Sequence, residues 1–132
     1  MIAGIGVDIV KIERIKTAVE RWGGRFMDRV FTEDEKKYSL SKYNPYPHLA
    51  ARFAYKEALV KALGTGFRMG IRWRDIELVR NGDGKPEAKL QGTVKKFADQ
   101  RGINNIMVSV SHDTDYAIAY VTLVSLKKHA PE

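Results

Sequence analysis

Lys56, Glu57 and Lys61 stand in the run Arg52-Phe-Ala-Tyr-Lys-Glu-Ala-Leu-Val-Lys-Ala-Leu-Gly64, which is otherwise almost wholly apolar. The run reads as one helix closed by Gly64, a residue suited to the left-handed turn that ends helices. At about 100° per residue, Leu49, Phe53, Val60 and Leu63 fill one arc. Ala51, Tyr55, Ala58, Leu59 and Ala62 cover most of the rest, so the helix is expected to be buried. Lys56, Glu57 and Lys61 project from the side of Phe53 and Val60, where charge is costly unless paired or bound to something charged. Two chemistries fit: a structural Glu57–Lys61 ion pair, or a site where Glu57 holds a metal and Lys61 an anion.

Asp8 is the second candidate. Residues 2–10, Ile-Ala-Gly-Ile-Gly-Val-Asp-Ile-Val, alternate as a strand. Ala3, Ile5, Val7 and Ile9 take one face, and Gly4, Gly6 and Asp8 the other, where a ligand or another backbone can approach closely. Asp8 serves either as a strand-end cap or, with Glu57, as one of two hard oxygen ligands. Such a pair suits Mg²⁺, which fills its shell with water and phosphate oxygens while Lys61 neutralises phosphate charge. The third candidate is His112 in Ser109-Val-Ser-His-Asp113, either a turn residue or a donor to phosphate. Ser111, His112 and Asp113 are sequence neighbours and cannot converge as a triad. His48 and His129 carry no functional argument at this level.

The elements that must position these groups are legible in outline. An amphipathic helix from Ile12 to Trp22 turns Ile12, Ile15, Val19 and Trp22 inward and stops at Gly23-Gly24. Thr32-Glu-Asp-Glu35 is a capping-box signature opening a helix to about Tyr43. A loop, Asn44 to His48, precedes the buried helix, and the glycine-rich loop Gly64 to Gly70 follows it. Strands at 76–80 and 86–90 flank the hairpin signal Asn81-Gly-Asp-Gly84. A surface helix over 93–101 and strands at 106–111 and 116–126 complete the chain. The pattern is one domain over residues 1–132, α+β, with a mainly antiparallel sheet packed with helices.

A chain of 132 residues can bury a real core without staples, and the absence of cysteine excludes disulfides and thiolate metal sites. No run approaches a membrane span and no signal-peptide pattern is present, so a soluble cytoplasmic protein is expected. Lys and Arg number 23 against 16 Asp and Glu, a net +7 that favours an acidic partner.

Gly6-Val-Asp8-Ile, then Phe53-Ala-Tyr-Lys56-Glu57-Ala-Leu-Val-Lys61, then Ser109-Val-Ser-His112 closely resemble the holo-acyl-carrier-protein synthase family. These are the short, single-domain 4'-phosphopantetheinyl transferases. The resemblance extends over Phe31-Thr-Glu-Asp-Glu35, Gly64-Thr-Gly66 and Asp75-Ile-Glu-Leu78, essentially the whole chain. It implies transfer of phosphopantetheine from coenzyme A to a serine of apo-acyl carrier protein in fatty acid biosynthesis, leaving adenosine 3',5'-bisphosphate. Asp8 and Glu57 would ligate Mg²⁺ at the pyrophosphate, and Glu57, directly or through a metal-bound water, would help deprotonate the serine. Lys61 would hold the phosphates, His112 would contact the pyrophosphate, and Arg52 would reach the 3'-phosphate. Pro86, Gly64 and Gly66 would frame the adenine. The family is trimeric with sites between subunits, so His112 would face Asp8 and Glu57 from another chain. Where relatives carry basic residues ahead of the charged helix, this chain has Tyr43-Asn-Pro-Tyr-Pro47 with only Lys42 nearby.

Lys11, Arg14, Ala18 and Arg21 lie within about 80° on an ideal helix, and Arg25 and Phe26 follow the glycine stop. Read alone, this is a solvated face. The resemblance turns Arg14, Arg21, Arg25 and Phe26 toward docking of the acidic carrier. Two alternatives stand beside this reading: the same chemistry on a polyketide or peptide carrier, and a non-catalytic nucleic-acid module. The second has the +7 charge and six tyrosines in its favour. It lacks any clustered basic stripe or recognition motif, so no nucleic-acid or membrane partner is expected.

Overall fold

The computed structural model describes residues 1–127, so His129 lies outside the described residues. The alternation in residues 2–10 gives strand β1 (Ile2–Lys11), and the C-terminal third gives β4 (Asn105–His112) and β5 (Tyr116–Val124). They form an antiparallel sheet in the order β1-β5-β4, with Asp8 opposite Ala119 and His112 opposite Ala117. A second antiparallel pair, β2 (Ile76–Arg80) and β3 (Pro86–Leu90), joins through a turn in which the Asn81 carboxamide oxygen accepts from the Asp83 and Lys85 amides. The α+β expectation holds.

Helices α1 (Ile12–Trp22), α2 (Gly24–Val30), α3 (Glu33–Leu40), α4 (Tyr46–Leu63) and α5 (Gly92–Gln100) surround these strands. Apolar nearly all round, α4 is the central element, with Leu49, Ala54, Leu59 and Val60 inaccessible or nearly so. It ends at Gly64, whose φ of 78° is left-handed. Helix α4 crosses β1 on the glycine face. A Cβ on Gly6 would sit 2.0 Å from the Ala58 carbonyl oxygen, and one on Gly4 would sit 2.3 Å from that of Ala62. Neither distance is physically available, so the two glycines set how closely strand and helix approach. The opposite face of the sheet, with Ile5, Val7 and Ile9 more than half exposed, points away from the core.

Several expectations need correction. Trp22 is exposed, because α1 ends there and its ring lies beneath the Arg21 guanidinium instead of against the core. Gly23 stops α1 as expected, but Gly24 starts the seven-residue α2, so Arg25 and Phe26 are helical. The capping box of α3 forms in full, yet the helix stops at Leu40 instead of Tyr43, where no apolar residue continues its buried face. Tyr46, Pro47 and His48 belong to the first turn of α4, where proline lacks no needed donor. His112 closes β4 instead of lying in a loop, and the last strand ends at Val124.

Candidate active site

The three charges of the α4 run do not share one environment. Lys56 is fully buried, and its ammonium donates to Glu35 Oε1 at 2.7 Å, the Ile76 carbonyl at 2.7 Å and the Trp73 carbonyl at 3.1 Å. Glu57 is half-buried, and Lys61 is exposed at the side chain. Lys61 Nζ lies 2.8 Å from Asp8 Oδ1 and also donates to the Val7 carbonyl. The simple Glu57–Lys61 pair is therefore replaced by a cross-element pair. Glu57 makes none of the ion pairs found among the described residues.

Burial holds the Glu57 carboxyl above its ordinary range, and the Asp8 carboxylate beside it adds to the effect. Lys61 and Arg14 oppose this only in part. Two oxygen-donor side chains thus converge with one ammonium. Among the described residues no cluster of three or more metal-ligating side chains occurs. A two-carboxylate set fits Mg²⁺, which keeps waters and phosphate oxygens in its remaining positions, and does not fit a closed structural site. Gly64 and Gly66, both at positive φ, follow Lys61 at the C-terminal end of α4.

The remaining predicted residues gather elsewhere. Arg52 is buried, donates to the His48 carbonyl at 3.1 Å and lies 4.3 Å over the Tyr38 ring. Its Nε has no partner among the described residues. Lys42 and Arg80 also lie over Tyr38, at 4.7 and 5.4 Å. The His48 ring meets Tyr38 edge-on at 5.8 Å and His112 at 5.6 Å. Pro86 pairs with Arg80 across the hairpin, so it borders this second cluster. Burial lowers the His48 pKa, and His112, Arg52, Lys42 and Arg80 lower it further.

The two clusters do not meet within one chain. His48 and Glu57 are nine positions apart along α4, which places them about 14 Å apart on the axis and about 180° apart around it. Asp8, Glu57 and Lys61 come together; Arg52 and His112 join a different group. Sequence reasoning missed Tyr38, His48 and Arg80, because the cluster draws on α3, α4, β2 and β4. The one available signal was the lack of basic residues between Tyr43 and Pro47, where the family resemblance led one to expect them.

On the Glu57 side the basic face of α1 is continuous with the site. The Arg14 guanidinium lies 5.5 Å over Phe53, one turn before Glu57, and Phe26 packs against Phe53 at 6.4 Å and Phe31 at 5.9 Å. Arg21 and Arg25 are exposed beyond them.

Residues 4–121 match the 4'-phosphopantetheinyl transferase superfamily, and the chain belongs to that family. It is 46% identical over 120 residues to the holo-[acyl-carrier-protein] synthase of Syntrophotalea carbinolica, covering 91% of this chain and 94% of that protein. The crystal structure of the Neisseria meningitidis holo-[acyl-carrier-protein] synthase superposes with a TM-score of 0.87 at 35% identity, covering 94% of this chain and 99% of that one. The Helicobacter pylori enzyme in complex with coenzyme A superposes with a TM-score of 0.80 at 32% identity, covering 91% and 99%.

Proposed function

We propose that this chain transfers the 4'-phosphopantetheine group of coenzyme A to a serine of apo-acyl carrier protein, in support of fatty acid biosynthesis. The observation that carries the reading is the convergence of Asp8, Glu57 and Lys61 beside the Arg14 surface, in a chain of this family. The serine hydroxyl attacks the phosphorus that bears pantetheine. The bond from that phosphorus to the bridging oxygen breaks, and adenosine 3',5'-bisphosphate leaves. Glu57, its carboxyl held above its ordinary range by burial and by Asp8, takes the serine proton directly or through a water. Lys61 binds the phosphates and stabilises the charge that develops on the leaving one. Asp8 and Glu57 are the residues that would hold Mg²⁺, which when bound neutralises pyrophosphate charge.

The cations Lys42, Arg52 and Arg80, with the His48 and His112 rings beside them around Tyr38, receive the remaining phosphate charge of coenzyme A, with Pro86, Gly64 and Gly66 framing the adenine. Because the clusters are on opposite sides of α4, a complete site takes one from each of two chains. The exposed sheet face of Ile5, Val7, Ile9, Met107, Ile118 and Tyr120 supports a homotrimer with sites between subunits, since contiguous apolar surface marks interfaces. Ile118→Glu is expected to give monomers in analytical ultracentrifugation with little transfer activity; an unchanged mass would remove that face from the assembly. No helix among the described residues is long and apolar enough to cross a membrane. A cytoplasmic place beside the carrier suits a chain without cysteine.

Intact mass spectrometry tests the reaction. Apo-acyl carrier protein incubated with this chain, coenzyme A and Mg²⁺ gains one phosphopantetheinyl group, and EDTA prevents the gain. No gain with folded protein on fatty-acid, polyketide and peptide carriers would overturn the reading.

A further inference from the structure

Lys56 stands in the same run as Glu57 and Lys61 but touches neither the Asp8 cluster nor the cationic one. It is fully buried, with three ammonium hydrogens and three acceptors: Glu35 Oε1, the Trp73 carbonyl and the Ile76 carbonyl. Glu35 is equally committed. Its Oε1 also accepts from the Thr32 amide at 3.0 Å, and its Oε2 accepts from the Leu78 amide at 3.1 Å. One buried ion pair thus ties the start of α3, the middle of α4 and the entry to β2. The tie fixes the 3₁₀ turn Trp73–Asp75 against α4. Trp73 in turn stacks on Phe53 at 5.0 Å and on Phe67 at 3.8 Å, and Phe53 is the ring beneath Arg14.

A buried ion pair is poor evidence for stability, because well-packed apolar residues often serve as well or better. The contacts of the pair point to another role. We infer that Lys56 is a positioning residue: with Glu35 it holds the Trp73 turn, and through Trp73 it holds the buried Phe53 ring and the Arg14 guanidinium above it, the surface that receives the carrier protein beside Glu57. The inference rests on the reading that the carrier docks over Arg14 and Phe26. Lys56 touches no reacting atom. Its effect reaches the reaction through the position of the Trp73 ring.

The test replaces the pair as a unit. In the double variant Lys56→Met/Glu35→Gln, the amide keeps an acceptor for the Leu78 or Thr32 amide, and methionine fills the lysine volume. The expected result is a cooperatively folded protein whose KM for the carrier rises at least tenfold, while KM for coenzyme A and kcat at saturating carrier change less than threefold. A purely structural role would lower the active fraction, and with it kcat, leaving KM for the carrier where it was. That outcome overturns the inference. If the double variant does not fold, Trp73→Leu removes the positioned ring and leaves the pair intact. It is expected to show the same split, and an unchanged carrier KM overturns the inference equally. Failure of the functional reading is distinguishable, because the unmodified protein would then transfer nothing.

Discussion

Lys61 Nζ lies 2.8 Å from Asp8 Oδ1, which joins α4 to β1 across 53 positions of sequence. The contact exists because Gly4 and Gly6 let the Ala58 and Ala62 backbone sit against the strand, so residues one turn apart on the helix flank Asp8. Glu57 shares the site, without an ion-pair partner among the described residues and with its carboxyl pushed up first by burial and then by Asp8.

Asp8→Ala and Glu57→Gln are each expected to reduce transfer at least a thousandfold with the far-ultraviolet circular dichroism unchanged. Glu57→Gln should also raise the melting temperature at pH 7.5. The folded state holds this carboxyl above its ordinary value of 4.5, so ionising it costs stability, and that cost grows as pH rises past 4.5. With allowance for solvent screening at a half-exposed group, the gain is on the order of 1–3 °C and fades as pH falls toward 4.5. Melting curves at the two pH values check the sign. Near-normal Mg²⁺-dependent turnover by either variant would remove these residues from the reaction.

Gly6→Ala places a methyl group 2.0 Å from the Ala58 carbonyl, a contact that only backbone movement relieves. Overpacking of this kind costs about 1–3 kcal/mol. The strand would shift from α4 and carry Asp8 with it, so activity should fall further than the fraction unfolded explains. Denaturant titration and turnover on the same sample separate the two losses. Equal losses would mean that the close approach serves stability alone.

Arg14→Glu is expected to raise KM for the carrier at least tenfold while KM for coenzyme A stays within about twofold. The side chain lies over Phe53, one helical turn from Glu57 and away from the Tyr38 cluster. Association through Arg14, Arg21 and Arg25 should also slow with ionic strength. Equal effects on the two substrates would count against a docking role.

His48 should make coenzyme A binding proton-linked. Burial first, and then His112, Arg52, Lys42 and Arg80, hold its pKa below the ordinary 6.5 in the free protein, and a bound phosphate offsets part of the neighbouring positive charge. Binding therefore takes up a proton, and affinity should rise as pH falls from 8 toward 6. The ligand phosphate, with its second pKa near 6, titrates in the opposite sense, so the readout is the difference between the protein and its His48→Phe variant in calorimetry. The variant should lose the rise and keep the ring contacts with Tyr38 and His112. Identical pH profiles would exclude His48 from the phosphate site.

Local chemistry was readable directly. Gly64 at positive φ, the reciprocal Thr32–Glu35 cap, the Asn81–Gly84 hairpin and the alternation of β1 all follow from a few adjacent residues, because each depends on backbone preference and side-chain period within one or two turns. The candidates Asp8, Glu57, Lys61 and His112 were legible for the same reason: their residue types stand out against apolar or glycine-rich surroundings. Which charge met which was not legible. Lys61 pairs with Asp8 and Lys56 with Glu35, because burial and long-range packing, not spacing on the helix, select partners 53 and 21 positions away. Period also fixes which residues share a face of β1 but not which face is covered. The glycine face is covered because only there can the α4 backbone come close, and the apolar face is left open. The cluster of Tyr38, His48, Arg80 and His112 is tertiary in the same sense, assembled where four elements meet.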